Sequence, residues 1–536
     1  MKTMAKSIAY RRLRAPREDG AALCHPLLPD APGLLAQNAA LMHESGHLEI
    51  GGRRLSQFRL AARQEMVRLA QAYTSEYRDA PVRDISPDAT VILAGHQPEL
   101  VHAGVWFKNF VLDALADRAG AVAVNLLIDN DAVRNTVVRV PAGSWDNPIS
   151  TFVPLDEMSG VVPFEARRVL NRDLFAQFGQ RATDAVRPLI GPPLLESFWP
   201  RAVHAVTRHG YLGRALAEAR HSLEGQWGLN SLELPLSQIC DTESFRWFAA
   251  TLLHDTARFR EIHNHMLADY RRVNRLRSHT HPVPDLGTRE GWQEVPFWLW
   301  TVDKPERRAA FVRRAGAEWI LSDLQDVRCT LGTDGESPAA VWIDRLAQLH
   351  ADGVRLRPRA LVTTMYARLI LSDLFIHGIG GAKYDELTDA IVRQFFGIEP
   401  PGYLVATATL KLPGPRRSVE EIDIARIDQW LRELQYHPEA WVEQADATAV
   451  IAEKRHWVAL QVPRQERRAR HLAIEESNRV LRSLVLARRE ELLIERARLR
   501  AERQKQMVLD SREYAFCLFP EEPLRARLLD LSRQEP

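Results

Sequence analysis

The sequence predicts an α/β protein with a parallel-sheet core, a helical insertion and a helical C-terminal arm. Three observations carry this expectation. Residues 90–128 run as apolar strand, turn, helix and apolar strand, a βαβ order that implies parallel pairing. Residues 202–226 and 243–275 carry helical spacing. Beyond residue 418 strand signals disappear, and Arg, Glu, Leu and Ala dominate. The expected division is an N-terminal extension over 1–88, a core over 89–412 with an insertion at about 160–290, and a helical domain over 413–536.

Each element has a local reason. Residues 56–76 are rich in helix formers. There Phe58, Ala61, Ala62, Met66, Leu69 and Tyr73 repeat at three- and four-residue steps, one apolar face. Pro81 and Pro87 then break the chain. The run 90–94 reads as a buried strand ending in Gly95-His96-Gln97-Pro98, followed by a helix over 105–116. Residues 121–128 form the second strand and stop at Asp129-Asn130-Asp131. A short strand is expected over 231–236, a Pro/Gly/His loop over 279–291, and an aromatic strand over 294–302 that opens a further α/β unit. The apolar run 360–376 reads as a helix leading into His377–Tyr384, a second helix over 385–396 and a strand over 403–410. Ser418 with Glu421 makes a capping box for the first arm helix. A second arm helix covers 448–461, and residues 464–512 read as a long helix pairing antiparallel with those before it.

Composition narrows the function classes. The 536 residues are 46% hydrophobic and 26% charged, so a packed core is expected and wholesale disorder is excluded. Lys+Arg number 71 against 69 Asp+Glu, a net +2 that gives no global reason to expect nucleic acid as a partner. The four cysteines, Cys24, Cys240, Cys329 and Cys517, show no paired spacing, so neither a disulfide framework nor a structural metal site is expected. The basic start lacks a signal-like apolar segment, and no apolar stretch reaches the roughly 18 residues of a membrane span. A cytoplasmic protein without a membrane partner is the expectation.

Three segments could carry chemistry. The first is Gly95–Lys108, at a strand-to-helix turn where backbone N–H groups and a helix dipole can hold a phosphate or carboxylate. Gly104 permits close backbone approach, and His96, Gln97, His102 and Lys108 supply polar groups. His102-Ala103-Gly104-Val105 also resembles the HxGH box of the class I synthetase and nucleotidyltransferase superfamily, with Val105 in place of the last histidine. The second is Asp129-Asn130-Asp131 with Arg134, able to bind an amine, coordinate Mg²⁺ through water or act as a base. An ordinary solvated turn fits that segment equally well. The third is His377-Gly378-Ile379-Gly380-Gly381-Ala382-Lys383-Tyr384, where three glycines before a helix could form an anion-binding nest. It is not a Walker A loop.

Other features are set aside. His263 and His265 diverge on a helix. His279 and His281 lie in a loop that could equally meet a substrate or make a turn. Trp292, Trp298 and Trp300 read as core, and the arginines of the arm as a solvated face.

Taken in order from about residue 90 to the end, these motifs resemble those of the bacillithiol-biosynthesis cysteine-adding enzymes. Gln97-Pro98 is similar to that family's Gln-Gln-(Pro/Ala)-Gly segment, Lys108 to its lysine in the next helix, and Ile128-Asp129-Asn130-Asp131 to its strand-end Glu-Asp-His-Asp. His281-Pro282-Val283 resembles its His-x-Gln-Val loop, and the segment from Gly378 to Tyr384 its Gly-Gly-Pro-Gly-Glu-x-x-Tyr turn. Tyr514-Ala515-Phe516-Cys517-Leu518-Phe519 resembles the aromatic tail after its coiled coil. The chain departs from the family at Asn130, at the proline missing from the glycine turn, and at residues 361–364, which hold no arginine. It therefore reads as a divergent relative.

The resemblance implies a Rossmann-like, nucleotidyltransferase/HUP-like core, a helical insertion and a coiled-coil arm that makes a homodimer. It also implies a ligase joining cysteine, or a similar amino acid, to an amino-sugar-type amine. On that basis His96, His102, Asp129 and Asp131 are the candidate catalytic residues. Gln97, Gly104, Lys108, Asn130, Arg134, His281, Gly378, Gly380, Gly381, Lys383 and Tyr384 are candidates for binding a small-molecule substrate or nucleotide. The cofactor stays open, ATP or another nucleotide with Mg²⁺ being the candidates. The rival expectation is a dimeric scaffold that keeps the fold and lacks the chemistry.

Overall fold

A computed structural model describes residues 13–80, 86, 89–158, 160–278, 280–333, 338–414 and 420–533. Pro81, Pro87, His279 and Ser418 lie outside them. The chain forms two compact units. The first holds residues 1–140, 151–411 and 512–536; the second holds 141–150 and 412–511.

The first unit is built on a six-stranded, mostly parallel sheet. Its strands are β1 (Ala21–His25), β2 (Val91–His96), β3 (Val122–Leu127), β4 (Leu232–Pro235), β5 (Leu374–His377) and β6 (Tyr403–Thr409). Across the sheet they run β1-β6-β5-β2-β3-β4, with only β1 antiparallel. From β2 the chain moves outward through β3 to β4, then returns to the other side of β2 for β5 and β6. The direction of winding thus reverses between β2 and β5, and in open α/β sheets that is where a ligand crevice opens.

Both sheet faces are covered, so these strands are continuous apolar runs. Helix α1 (Leu55–Ser75) buries Phe58, Met66, Val67 and Tyr73 in one core with Val91, Leu93, Val124, Leu126, Leu232 and Leu234. Helix α2 (Ala103–Ala119) packs along β2, β3 and β6. Gly104 sets how close it comes, because a Cβ there would lie 1.9 Å from Ala408 O. The expected βαβ unit is therefore present, and its glycine serves a helix-to-strand contact.

Three expectations change. The helical stretch between β3 and β5 is not a clean insertion, because β4 within it completes the edge of the main sheet. The run 360–376 is not one helix. It is a helix over Ala360–Tyr366, a π turn over Ala367–Leu371, and then β5. A four-residue strand buried on every side has no alternation to separate it from a preceding buried helix. Finally, Trp292–Thr301 opens no α/β unit. It is an inner strand of a second sheet that is antiparallel throughout, with Arg308–Ala315, Glu318–Ser322 and Arg328–Thr333 on one side and Val354–Pro358 on the other. Interleaved arginines and half-buried positions obscure its pattern.

The second unit carries helices over Glu421–Tyr436, Gln444–Ala459, Arg467–Leu484 and Leu486–Leu509. Its first helix is capped by Glu420 with Asp423, and the expected cap Ser418 lies outside the described residues. The long arm helix is two helices, broken at Val485, where φ is −111° and ψ 12°. Asp428 pairs with Arg496 and Arg500, and Glu421 with Arg503, so the last of these helices runs counter to the first. Residues 512–533 then return to the first unit, where Phe516 packs against Trp106 and Phe198.

Candidate functional site

A cavity of about 890 Å³ opens at the carboxyl ends of β2 and β5, at the reversal of the sheet. Of the fifteen sequence-predicted site residues, thirteen line it. Asp129 and His281 do not.

The strand-to-helix turn supplies the first wall. His96 is half-buried, and Nδ1 lies 3.1 Å from Gln97 O. Burial first, then Lys108, pushes its pKa down to about 3, so the ring is neutral at physiological pH. Gln97 donates from Nε2 to Asp131 Oδ2 at 3.0 Å. His102 is the N-cap of α2, its Nδ1 accepting from Gly104 N at 3.2 Å. Burial lowers its pKa to about 4, against the opposing pull of Glu513. It is thus a neutral cap and not a cation. Lys108 is buried, and Nζ donates to Gly95 O at 2.8 Å with no carboxylate within ion-pair distance among the described residues. Burial, helped by Arg220, lowers its pKa to about 8.

The segment after β3 splits between two cavities. Asp131 faces the first, where it accepts from Arg307 Nη1 at 2.9 Å. Asn130 donates from Nδ2 to Pro358 O at 2.8 Å, and Arg134 is exposed at the rim. Asp129 turns away. Its carboxylate accepts from Ser237 N at 2.9 Å and Ser237 Oγ at 2.5 Å, beside a separate cavity of about 410 Å³. Burial first, then Glu165, raises its pKa to about 7. That second cavity also holds Arg357, fully buried between Glu165 and Asp241.

The glycine segment differs from the expected nest. Gly378 is the N-cap of helix α3 (Ile379–Phe396), which begins six residues earlier than expected. None of Gly378, Gly380 and Gly381 has positive φ, so the groups offered to an anion are the free N–H groups of a helical first turn. Lys383 is exposed on that turn without a carboxylate partner among the described residues. Tyr384 lines the cavity, with the His281 ring 6.0 Å away edge-on behind it.

The second sheet contributes residues the sequence does not single out. Arg307 and Arg359 stack on Trp298, with guanidinium carbons 5.2 and 4.2 Å from the ring centroid. Trp298 is thus a cavity wall, whereas Trp300 is core as expected. Arg359 pairs with Glu294 at 2.7 Å. His377, at the end of β5, and Arg512, which donates to Thr407 Oγ1 at 3.0 Å, complete the lining. Among the described residues seven cationic side chains face the space: Arg14, Lys108, Arg134, Arg307, Arg359, Lys383 and Arg512. Asp131 is the one carboxylate among them.

The donor set does not make a protein-built metal site. Among the described residues no group of three or more His, Cys, Asp or Glu could hold an ion. A Mg²⁺ here would have to arrive on ligand phosphates. No helix among the described residues is long and apolar enough to cross a membrane. Neither protein-family models nor curated proteins give a match to this chain.

Proposed function

We propose that the cavity at the reversal of the sheet holds a small ligand by its phosphate or carboxylate groups, ATP or a related nucleotide foremost. We propose further that the protein is an amide-forming ligase of the cysteine-adding kind. One observation carries the binding reading: among the described residues seven cations surround the space and a single carboxylate opposes them. Three of the seven, Arg307, Arg359 and Arg512, are paired with carboxylates. Lys108 is not, and a buried cation without a counter-ion is costly until a ligand supplies one. The first turns of α2 and α3 add their N–H dipoles, and the strand order is that of Rossmann-like dinucleotide sites.

The resemblance to the cysteine-adding enzymes supports the reaction class. In this reading Lys108, Lys383 and the two helix N-termini hold phosphate. Asp131, fixed by Gln97 and Arg307, orients the amine. Neutral His96 presents an uncharged ring to the ligand. Bound ATP supplies the activated phosphate, and the chain's own groups bind, orient and exclude water.

The test is thermal shift and calorimetry with ATP, ADP and pyrophosphate on wild type and Lys108→Ala. Stabilisation of the wild type that is lost in the variant supports the reading. No shift with any of the three, and unchanged behaviour of the variant, overturns it. Incubation with ATP, Mg²⁺, cysteine and a glucosamine–malate conjugate, followed by mass spectrometry, tests the ligase step. A second reading, a dimeric nucleotide-binding scaffold, is favoured by the position of Asp129 outside the cavity. Nucleotide binding without any product selects it.

A further inference from the structure

His377 ends β5 at the reversal point, and its imidazole lines the cavity. The ring packs between Phe375 and Tyr403, with centroids 4.5 and 5.1 Å away. Nε2 lies 2.5 Å from Asp385 Oδ2 on α3. Asp385 is buried and also pairs with Arg368 Nη1 at 2.9 Å. Arg368, on the π turn, holds Asp389 as well, at 2.7 Å. Burial alone would raise the pKa of Asp385, but His377 and Arg368 hold it well below the usual carboxylate range.

The other ring nitrogen is free. Among the described residues Nδ1 has no hydrogen-bond partner, and a Cβ at Gly381 would lie 2.7 Å from it. Glycine at 381 therefore leaves Nδ1 uncovered beside the cavity. A carboxylate beside one nitrogen holds the ring in place and, in the neutral imidazole, favours the tautomer with its lone pair on the other, the arrangement of an oriented proton acceptor. The cavity's other histidines lack it. His96 places Nδ1 at a carbonyl, His102 is a cap, and His263 Nδ1 meets Asn264 Oδ1 at 3.1 Å.

We propose that His377 is the general base of this cavity, with Asp385 as its positioning residue. The proposal rests on the ligase reading for its reaction. Nδ1 takes a proton from the attacking amine. The amine's own lone pair becomes the new N–C bond, and the electron pair of the broken N–H bond stays on nitrogen as the amide lone pair. The acyl carbon releases its phosphate leaving group with the C–O pair, a nucleoside triphosphate having supplied that phosphate. The charged and titratable groups around the ring are Asp385 and Asp389 on α3, Arg368 on the π turn and Tyr403 on β6. Lys108 of α2 lies beyond Gly378.

Two measurements test it. In the ligase assay, His377→Gln should lower kcat about 100-fold or more, with KM for ATP within about threefold. Asp385→Asn should move the acid limb of the pH–kcat profile to lower pH, which a purely structural residue would not do. A folded His377→Gln with wild-type kcat and an unchanged profile overturns the proposal. The second measurement needs no turnover. Diethyl pyrocarbonate should label His377 of the unliganded protein near neutral pH, and pyrophosphate should protect it. Gly381→Ala, whose Cβ would crowd Nδ1, should suppress the label. Failure of His377 to label in wild type overturns the proposal even if His377→Gln does not fold. If wild type makes no product, the ligase reading fails alone, and labelling with protection still decides whether His377 faces the ligand.

Discussion

Lys108 is where burial and charge conflict most openly. Its amine is buried with a single carbonyl partner, and burial brings its pKa down from 10.5 to about 8. A cation whose folded pKa is lowered costs stability fully below the folded value. That cost is relieved as pH rises from about 8 toward the unfolded 10.5. Lys108→Ala should therefore fold with a Tm equal to or above wild type, checked by calorimetry, while losing the nucleotide-induced shift. ADP affinity of the wild type should fall above pH 8 with a limiting slope of about tenfold per unit, and the slope should vanish in the variant. Lys108 was legible because it follows a strand-to-helix turn. Arg307 and Arg359 were not, because 173 and 225 residues separate Arg134 from them and only the tertiary fold brings them to one wall.

Two glycines on the elements that carry the site differ in what they tolerate. At Gly104 a Cβ would strike the Ala408 carbonyl, which is backbone and cannot swing aside. Gly104→Ala should cost about 3 kcal/mol or more, read as a lowered urea midpoint. At Gly380 a Cβ meets open space. Gly380→Ala should leave stability unchanged or raise it by about 1 kcal/mol, since it replaces the poorer helix former. The βαβ elements were legible because a strand buried on both faces is a short apolar run with turn residues after it. The antiparallel sheet was not, because Arg308, Arg313 and Arg314 interrupt its alternation. Helix α3 begins among residues that ordinarily break helices, so its first turn reads as loop.

Across the whole molecule a net charge of +2 conceals a strongly cationic cavity. ADP binding should weaken as NaCl is raised from low to physiological strength, over which the Debye length shrinks to about 8 Å. Titration calorimetry at two salt concentrations checks this. Leu472, Val480, Leu484, Leu486 and Ile494 are exposed in the second unit. The expected homodimer should therefore appear as twice the chain mass in light scattering and revert to monomer when Leu486 and Ile494 become Glu; a wild-type monomer rules it out. At this scale composition revealed the class of protein and the start of the helical region. It could not reveal that residues 141–150 join that region or that 512–533 leave it.

The placement of β5 between β2 and β6 also bears on how the chain is made. On the ribosome β2 emerges 278 residues before its partner Leu374. At about 5–20 residues per second that is a wait of roughly a quarter of a minute to a minute. Throughout it, one edge of an apolar strand stands open to any passing strand. A nascent chain truncated before Leu374 should bind holdase chaperones and no nucleotide. Ligand binding would then mark the moment at which synthesis has delivered the middle of the sheet.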